Sequence, residues 1–448
     1  MSNRLPHSAW KLLRLNQGLK HCRTFLSAAY RCEEAWNNRL KTPLLANINS
    51  SDYVYELDRK YKHEGKVSAI DVDLFVNSLK PTNAKSINQD LEEIVQRLRR
   101  SPETIHTLPS TSHAVLRMLL DARRTKLILK LLSNPLTFGI FPDHYMSNLL
   151  MDTFIEEKNY TAAAHVASTL MMQEDFGPPL TQALVIASCY LYTTSTENLP
   201  WEDYTVKIEE PEEELKIRVP YLRNPYFDDH FDLRNPNHIV GKTLAWGAPL
   251  IGGEIGTNCE ILGWALYNKW NCLEGALQRC AANRSTVAKS VITAVKDQLN
   301  SSEEIEGQEK ILSLVNQLES GGTCVTEVNL RSVIENHVLN EVSKAEADFI
   351  KVQEDVYSAW EKMRNDEVDK QLYAYKRKQV LEEIERKKKE LKAKEDIFTF
   401  FEKKDELEML LDRKPVVQER DRTHFFPHKI KKARKVDEDY IPPEVIRR

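Results

Sequence analysis

Through the first two thirds of the chain, apolar residues recur every three or four positions, which gathers them on one side of a helix. Tyr53, Leu57 and Tyr61 make one such stripe. Ile70, Leu74, Val76 and Leu79 make a second, closed by Pro81, and Ile87, Leu91, Ile94, Val95 and Leu98 a third, closed at Ser101-Pro102. Ala114, Val115, Met118 and Leu119 follow, then Leu127, Leu129, Leu131 and Leu132 up to Asn134-Pro135. Each predicted helix is short, and Pro, Asn or Gly marks its end. No alternating run of β-branched and aromatic residues competes for strand. Short antiparallel helices with brief breaks predict an all-α fold, a helical-hairpin solenoid over residues 36–194.

One stretch is more specific. Gly139-Ile140-Phe141-Pro142-Asp143 precedes a helix read as HYMSNLLMD, His144 to Asp152, and a second helix runs from about Tyr160 to Met172. The turn, Asn148, Leu150, Asp152 and the small Ala163 fall in the register of a pentatricopeptide repeat, and the segment resembles that family. Leu150 and Phe154 are expected to pack inward, and Ala163 to let the two helices approach. The preceding unit, Thr111 to Asp143, has a similar length of roughly 35 residues. In this family, repeats read single bases through a few side chains. The positions concerned are Asn148 with Pro178, and His113 with Asp143. Pro178 offers no polar group, so contact with RNA through shape or phosphate is the stronger expectation. Candidate bases for it are Arg97, Arg99, Arg100, Arg117, Arg123, Arg124, Lys126 and Lys130, against the plainer reading of a solvated helix face.

The wider segment from Phe138 to Asp175 is similar to a repeat-protein family of the animal mitochondrial small ribosomal subunit. The resemblance implies a non-catalytic structural component that binds mitochondrial ribosomal RNA and other small-subunit proteins. It implies residence in the mitochondrial matrix, within the ribosome, and no cofactor, metal or small-molecule substrate. The alternative is a free mitochondrial pentatricopeptide-repeat factor that binds or stabilises organellar transcripts.

Residues 195–257 change character. Glu209 to Glu214 is an acidic run interrupted by Pro211, and Pro220, Pro225, Pro236 and Pro249 predict an irregular surface insertion anchored by Tyr221, Tyr226, Phe227 and Phe231. Gly241-Lys242-Thr243 invites a phosphate-loop reading, but the glycine such a loop needs five residues earlier is Pro236. Gly247, Gly252, Gly253 and Gly256 then read as flexible loop. A further helix pair is expected over 258–298, and a linker with a short helix over 299–328.

Residues 329–413 contain no Pro or Gly. Val342, Ala345, Phe349, Val352, Val356, Ala359 and Met363 step as a heptad seam, so a long charged coiled-coil helix is predicted, self-paired or docked on the solenoid. Its later part carries Arg386, Lys387, Lys388 and Lys389 in succession. An irregular basic tail over 414–448 follows, with Lys429, Lys431, Lys432, Arg434 and Lys435. Both basic segments, with Arg123, Arg124, Lys126, Lys130 and Asn148, are the candidate RNA contacts.

Residues 1–32 contain no Asp or Glu but six Lys or Arg, interleaved with Trp10, Leu12, Leu13, Leu15 and Leu19. That composition predicts a mitochondrial transit peptide, with Arg23-Thr24-Phe25-Leu26-Ser27 as its processing stretch. The net charge of −4 means that any basic surface is local. No apolar run is long enough for a membrane span. Seven widely spaced cysteines without a CxxC pair favour a reducing compartment. No HExxH or GxSxG appears, and His424 and His428 flank Pro427, which disfavours a shared helix face for a metal.

Overall fold

The computed structural model describes residues 24–80, 84–195, 200–202, 233–301, 308–320, 325–326 and 329–413. The chain divides into two units, residues 1–369 and 370–448. The acidic run, Tyr221, Tyr226, Phe227, Phe231 and the tail beyond 413 lie outside the described residues.

The first unit opens with short helices, α1 (Glu33–Asn38) and α2 (Pro43–Ala46). It continues with α3 (Ser50–Glu64), α4 (Ala69–Ser78) and α5 (Ala84–Arg100). Then come α6 (Pro109–Asp121), α7 (Thr125–Ser133), the single turn α8 (Pro135–Phe138), α9 (His144–Glu156), α10 (Tyr160–Met172) and α11 (Pro179–Thr194). Helices α6, α9 and α11 begin at Pro109, His144 and Pro179, so the repeat is 35 residues long. The turns repeat too. Arg123 and Lys158 hold matching left-handed conformations, φ 54° and 58°. The amides of Arg124 and Asn159 reach back to the carbonyls of Leu119 and Phe154, closing both helices in the same way. Side-chain caps fix the starts: Asp143 Oδ1 accepts from Met146 N at 2.6 Å, and Asn159 Oδ1 from Ala162 N at 3.1 Å. Ala163, Leu150 and Phe154 are buried between the stacked helices. Helices α9, α10 and α11 each pack on the next, and α9 and α10 on the next but one as well, the signature of a solenoid.

The solenoid extends further than the sequence suggested. Residues 236–257, read as the end of a loop, are helical: α12 (Pro236–Ile251) and α13 (Gly253–Leu266). Pro236 does not break the chain here. It opens α12, where its missing amide is no loss, and Asn235 caps it by accepting from Asn237 N. Four glycines, Gly241, Gly247, Gly256 and Gly263, are contact points between helices. A Cβ on Gly241 would lie 2.7 Å from Tyr267 N, and one on Gly263 would lie 2.5 Å from Ala245 N. Helices α14 (Trp270–Asn283), α15 (Lys289–Ser301) and α16 (Gln308–Ser320) follow. A two-residue parallel pairing, β1 (Val287–Ala288) with β2 (Val325–Thr326), ties the end of the array.

Helix α17 (Leu330–Phe398) belongs to this unit as far as Asp369. That part is docked, and it follows the predicted heptad seam only at first: Val342, Ala345 and Phe349 pack on the core with Ile334 and Val338, but beyond them Val352 and Met363 are exposed while Gln353, Trp360 and Arg364 are buried. The docked face therefore includes two polar residues, which a purely apolar pattern cannot register. The second unit contains the rest of α17 and α18 (Lys404–Arg413), almost wholly solvent-exposed.

Part of the stretch expected to be leader packs on the fold. Phe25, Leu26 and Tyr30 are buried in the core, so the folded body takes in the chain from Phe25 onward.

Candidate nucleic-acid interface

The repeat positions that could face a nucleic acid belong to the first helix of each hairpin, and the protein's own chain covers them. Asn148 is fully buried; its Nδ2 donates to Tyr30 Oη at 3.1 Å. The Tyr30 ring stacks on Tyr145 with centroids 4.8 Å apart, and Phe349 of α17 lies 6.1 Å from the same ring. His113 is buried as well. Its Nε2 is 3.1 Å from Tyr357 Oη, and its ring is 5.0 Å from Trp360. Asp143, His113's expected companion, lies 3.5 Å from its Nδ1 and caps α9. Asn148 is thus withdrawn as an RNA contact: the groove it lines is filled by Tyr30 and α17.

The filling is continuous. Along α17, Arg331 lies beside Tyr160 at the start of α10, Phe349 beside Tyr30, Tyr357 and Trp360 against His113 of α6, and Arg364 against Asp73 of α4. From Arg331 to Arg364 the helix covers about 50 Å at its ordinary rise and retraces the array in reverse order.

At the far end the contact is an ion pair. Arg364 Nε donates to Asp73 Oδ2 at 2.7 Å, with both residues buried. Asp73 Oδ1 accepts from Ser110 Oγ (2.5 Å), Thr111 Oγ1 (2.9 Å) and Asn77 Nδ2 (3.0 Å). Such a buried pair is stable only when its remaining lone pairs are satisfied, and here they are. Burial also keeps the Tyr30 and Tyr145 hydroxyls protonated by raising both above the ordinary phenol value.

The remaining candidate bases divide by their surroundings. Arg117 is buried in the core, and Arg97 is held by Asp58 and Glu93 over the Tyr61 ring. Lys126 pairs with Glu202 at 2.7 Å, and Lys130 with Glu92. Arg123 is exposed and, like Arg124, makes no ion pair among the described residues. Lys429, Lys431, Lys432, Arg434 and Lys435 lie outside the described residues.

The exposed basic surface is on α17 beyond residue 370. Between 376 and 394 it carries nine Lys or Arg against four Glu. At 100° per residue, Tyr373, Val380, Ile384, Leu391 and Phe398 fall in a stripe roughly 40° wide, and all five are exposed. Lys376, Lys387 and Lys394 border it on one side, Arg377 and Lys388 on the other. Glu382, Glu385 and Glu390 lie in the opposite half together with Lys378, Arg386, Lys389 and Lys392, while Glu383 lies beside Lys376 and Lys387. Lys387 bonds Glu383 at 2.9 Å and holds that carboxyl below its usual range, and Arg386 lies 3.9 Å from Glu390. Lys388 and Lys389 are exposed and make no ion pair among the described residues.

Gly241-Lys242-Thr243 lies within α12. Lys242 is buried, its Nζ 4.4 Å from the Trp246 ring centroid, and Thr243 Oγ1 donates to the Ile239 carbonyl. Among the described residues no cluster of three His, Cys, Asp or Glu could hold a metal, and no helix is long and apolar enough to cross a membrane.

Fold and surface together define a helical-repeat protein whose repeat positions Asn148 and His113 are covered by its own chain, with an exposed basic helical segment beyond residue 370. Comparison with known families gives the rest. The family model for mitochondrial 28S ribosomal protein S27 matches residues 3–390, and the chain belongs to that family. It is a component of the mitochondrial small ribosomal subunit and resides in the mitochondrion as part of its ribosome.

Proposed function

We propose that the chain is a non-catalytic scaffold of that subunit, binding ribosomal RNA and neighbouring subunit proteins through the exposed face of α17 and the basic tail during mitochondrial translation. The observation that carries this reading is the exposed basic stretch over residues 376–394, nine Lys or Arg against four Glu, five of whose bases border an apolar stripe. Bases on such borders suit phosphate contacts, and the stripe suits an apolar groove on a protein neighbour. Arg386, Lys387, Lys388 and Lys389, with Lys429, Lys431, Lys432, Arg434 and Lys435, are the residues assigned to RNA; Arg123 and Arg124 are a smaller second patch. The filled groove weighs against a free transcript-reading factor, since such a factor needs its repeat positions open.

Sedimentation of a mitochondrial lysate containing a tagged copy tests the proposal. The chain is expected to co-migrate with the small subunit and to stay with it when magnesium chelation releases the large one. Migration in light, RNase-sensitive particles away from the ribosome would sink it. Crosslinking to RNA that maps to residues 376–394 supports the assigned surface; crosslinks confined to the repeat helices contradict it.

A further inference from the structure

Asp152 is an unusual carboxylate for a helix interior. It lies in the last part of α9, is 6% exposed, and forms no ion pair among the described residues. Burial raises its pKa to about 6; Glu156 adds to the rise, and the amides of Phe25 and Leu26 and the charge of Arg31 oppose it. Arg31 is engaged elsewhere, donating to Thr153 Oγ1 at 3.4 Å and lying 3.9 Å from Glu33. What Asp152 does hold is main chain. Phe25 N is 2.8 Å from its Oδ1, and Leu26 N is 3.4 Å away.

Phe25 is also where the fold begins. Thr24 is exposed, and Phe25, Leu26 and Tyr30 are buried. Arg23 stands two residues before Phe25, at the end of the acid-free segment. We infer that the Thr24–Phe25 peptide bond is the processing site, and that the α-ammonium created on Phe25 becomes the missing cation of Asp152. A processing endopeptidase adds water across that bond. The C–N bond breaks, Thr24 keeps the carboxylate, and the Phe25 nitrogen takes up a proton. A neutral amide donor is thereby exchanged for a charged one at the same oxygen, which strengthens the contact. The cut precedes docking, since Phe25 is buried in the folded chain. A cut after Tyr30 would remove the ring that covers Tyr145 and Asn148.

The test uses the full chain tagged at its C-terminus, expressed in cells and recovered from mitochondria. Free α-amines are labelled before digestion, and mass spectrometry is expected to identify Phe25 as the N-terminal residue. Any other N-terminus, or an intact leader, overturns the proposal. A second arm compares Asp152→Asn in two chains, one released without a scar to begin at Phe25 and one retaining residues 1–24. The asparagine side chain keeps an acceptor but cannot pair with an ammonium. The substitution is expected to lower the melting midpoint of the first chain and to raise that of the second; the same sign in both overturns the pairing. The Phe25 α-amine is also expected to acylate about ten-fold more slowly in the unsubstituted chain than in the Asp152→Asn chain, as a rise of about one unit in its pKa dictates. Equal rates overturn the pairing even where the melting comparison is spoiled by misfolding.

Discussion

Replacing Arg364 by methionine asks how firmly α17 fills the groove. The substitution keeps the aliphatic stem and removes the charge that reaches Asp73 at 2.7 Å. Asp73 is fully buried, so its carboxylate is then left without its cation. Breaking a buried pair from one side costs about 3–5 kcal/mol. Ser110, Thr111 and Asn77 still donate to Asp73, which places the expected loss at the lower end, about 3 kcal/mol. A chain of this size does not license a single unfolding free energy, so the assay must be local. Amide hydrogen exchange along α17 provides one, because residues 372–398 of the same helix are exposed and act as an internal reference. A loss of about 3 kcal/mol in docking corresponds to a fall of about 100-fold in protection over residues 349–364, with no change beyond residue 372. Asp73→Asn in the same chain removes the stranded charge and should recover part of that protection, since the two residues are directly coupled. Protection within three-fold of the unsubstituted chain, or a double variant no better than the two losses added, would show that the pair does not hold the helix.

In a chain that retains residues 1–24, Asp152 should make stability fall as pH rises. Its folded pKa is about 6 against 3.8 unfolded, so the native state binds the extra proton and the penalty, about 3 kcal/mol, is fully present above about pH 6 and absent below about pH 4. Melting midpoints across that window check this, and Asp152→Asn should abolish the slope. Gly241→Ala and Gly263→Ala should each lower the melting midpoint, because the added Cβ meets backbone across α12 and α13 and overpacking costs about 1–3 kcal/mol. Gly247→Ala should be nearly silent, since its new Cβ meets only the end of the Ile186 side chain at 3.1 Å. Replacing Arg386, Lys387, Lys388 and Lys389 together by glutamine should leave the fold intact and make association with the small subunit more salt-labile; an unchanged salt profile in sedimentation would remove these residues from the RNA surface.

The sequence displayed its helices wherever the apolar pattern was strong. The bounds of α10 and the start of α9 were read directly, because the Gly139-to-Asp143 turn and the strings after it fall in the register of a known repeat. Three features were hidden, each for a physical reason. Gly247 and Gly256 read as flexible loop because what a glycine permits depends on the helix opposite, which the local string does not contain. The docked face of α17 includes Gln353 and Arg364, and the burial of Arg364 becomes affordable only through Asp73, nearly three hundred residues away. Residues 25–32 share the acid-free composition of the leader, and composition does not register that Tyr30 fits against Tyr145. A signal for the docked face was present, though: Val342, Phe349, Gln353, Trp360 and Arg364 step by seven and four, an eleven-residue period that keeps one face of a nearly straight helix toward its seat.

That seat decides how the repeats can be used. Asn148 and His113 have the polarity a base-reading groove requires, and an RNA strand seeking them would have to displace Tyr30, Tyr357 and Trp360 first. Its affinity would fall by the factor that measures the closed state. The competing segment is part of the same chain, so its local concentration does not fall on dilution. A groove closed in this way serves rigidity: α17 contacts α4, α6 and the Tyr30 segment along its length and limits the flexing natural to a solenoid, whose repeats otherwise touch only their neighbours. Recognition then falls to the exposed basic face beyond residue 370, where bases border an apolar stripe and no described residue covers either.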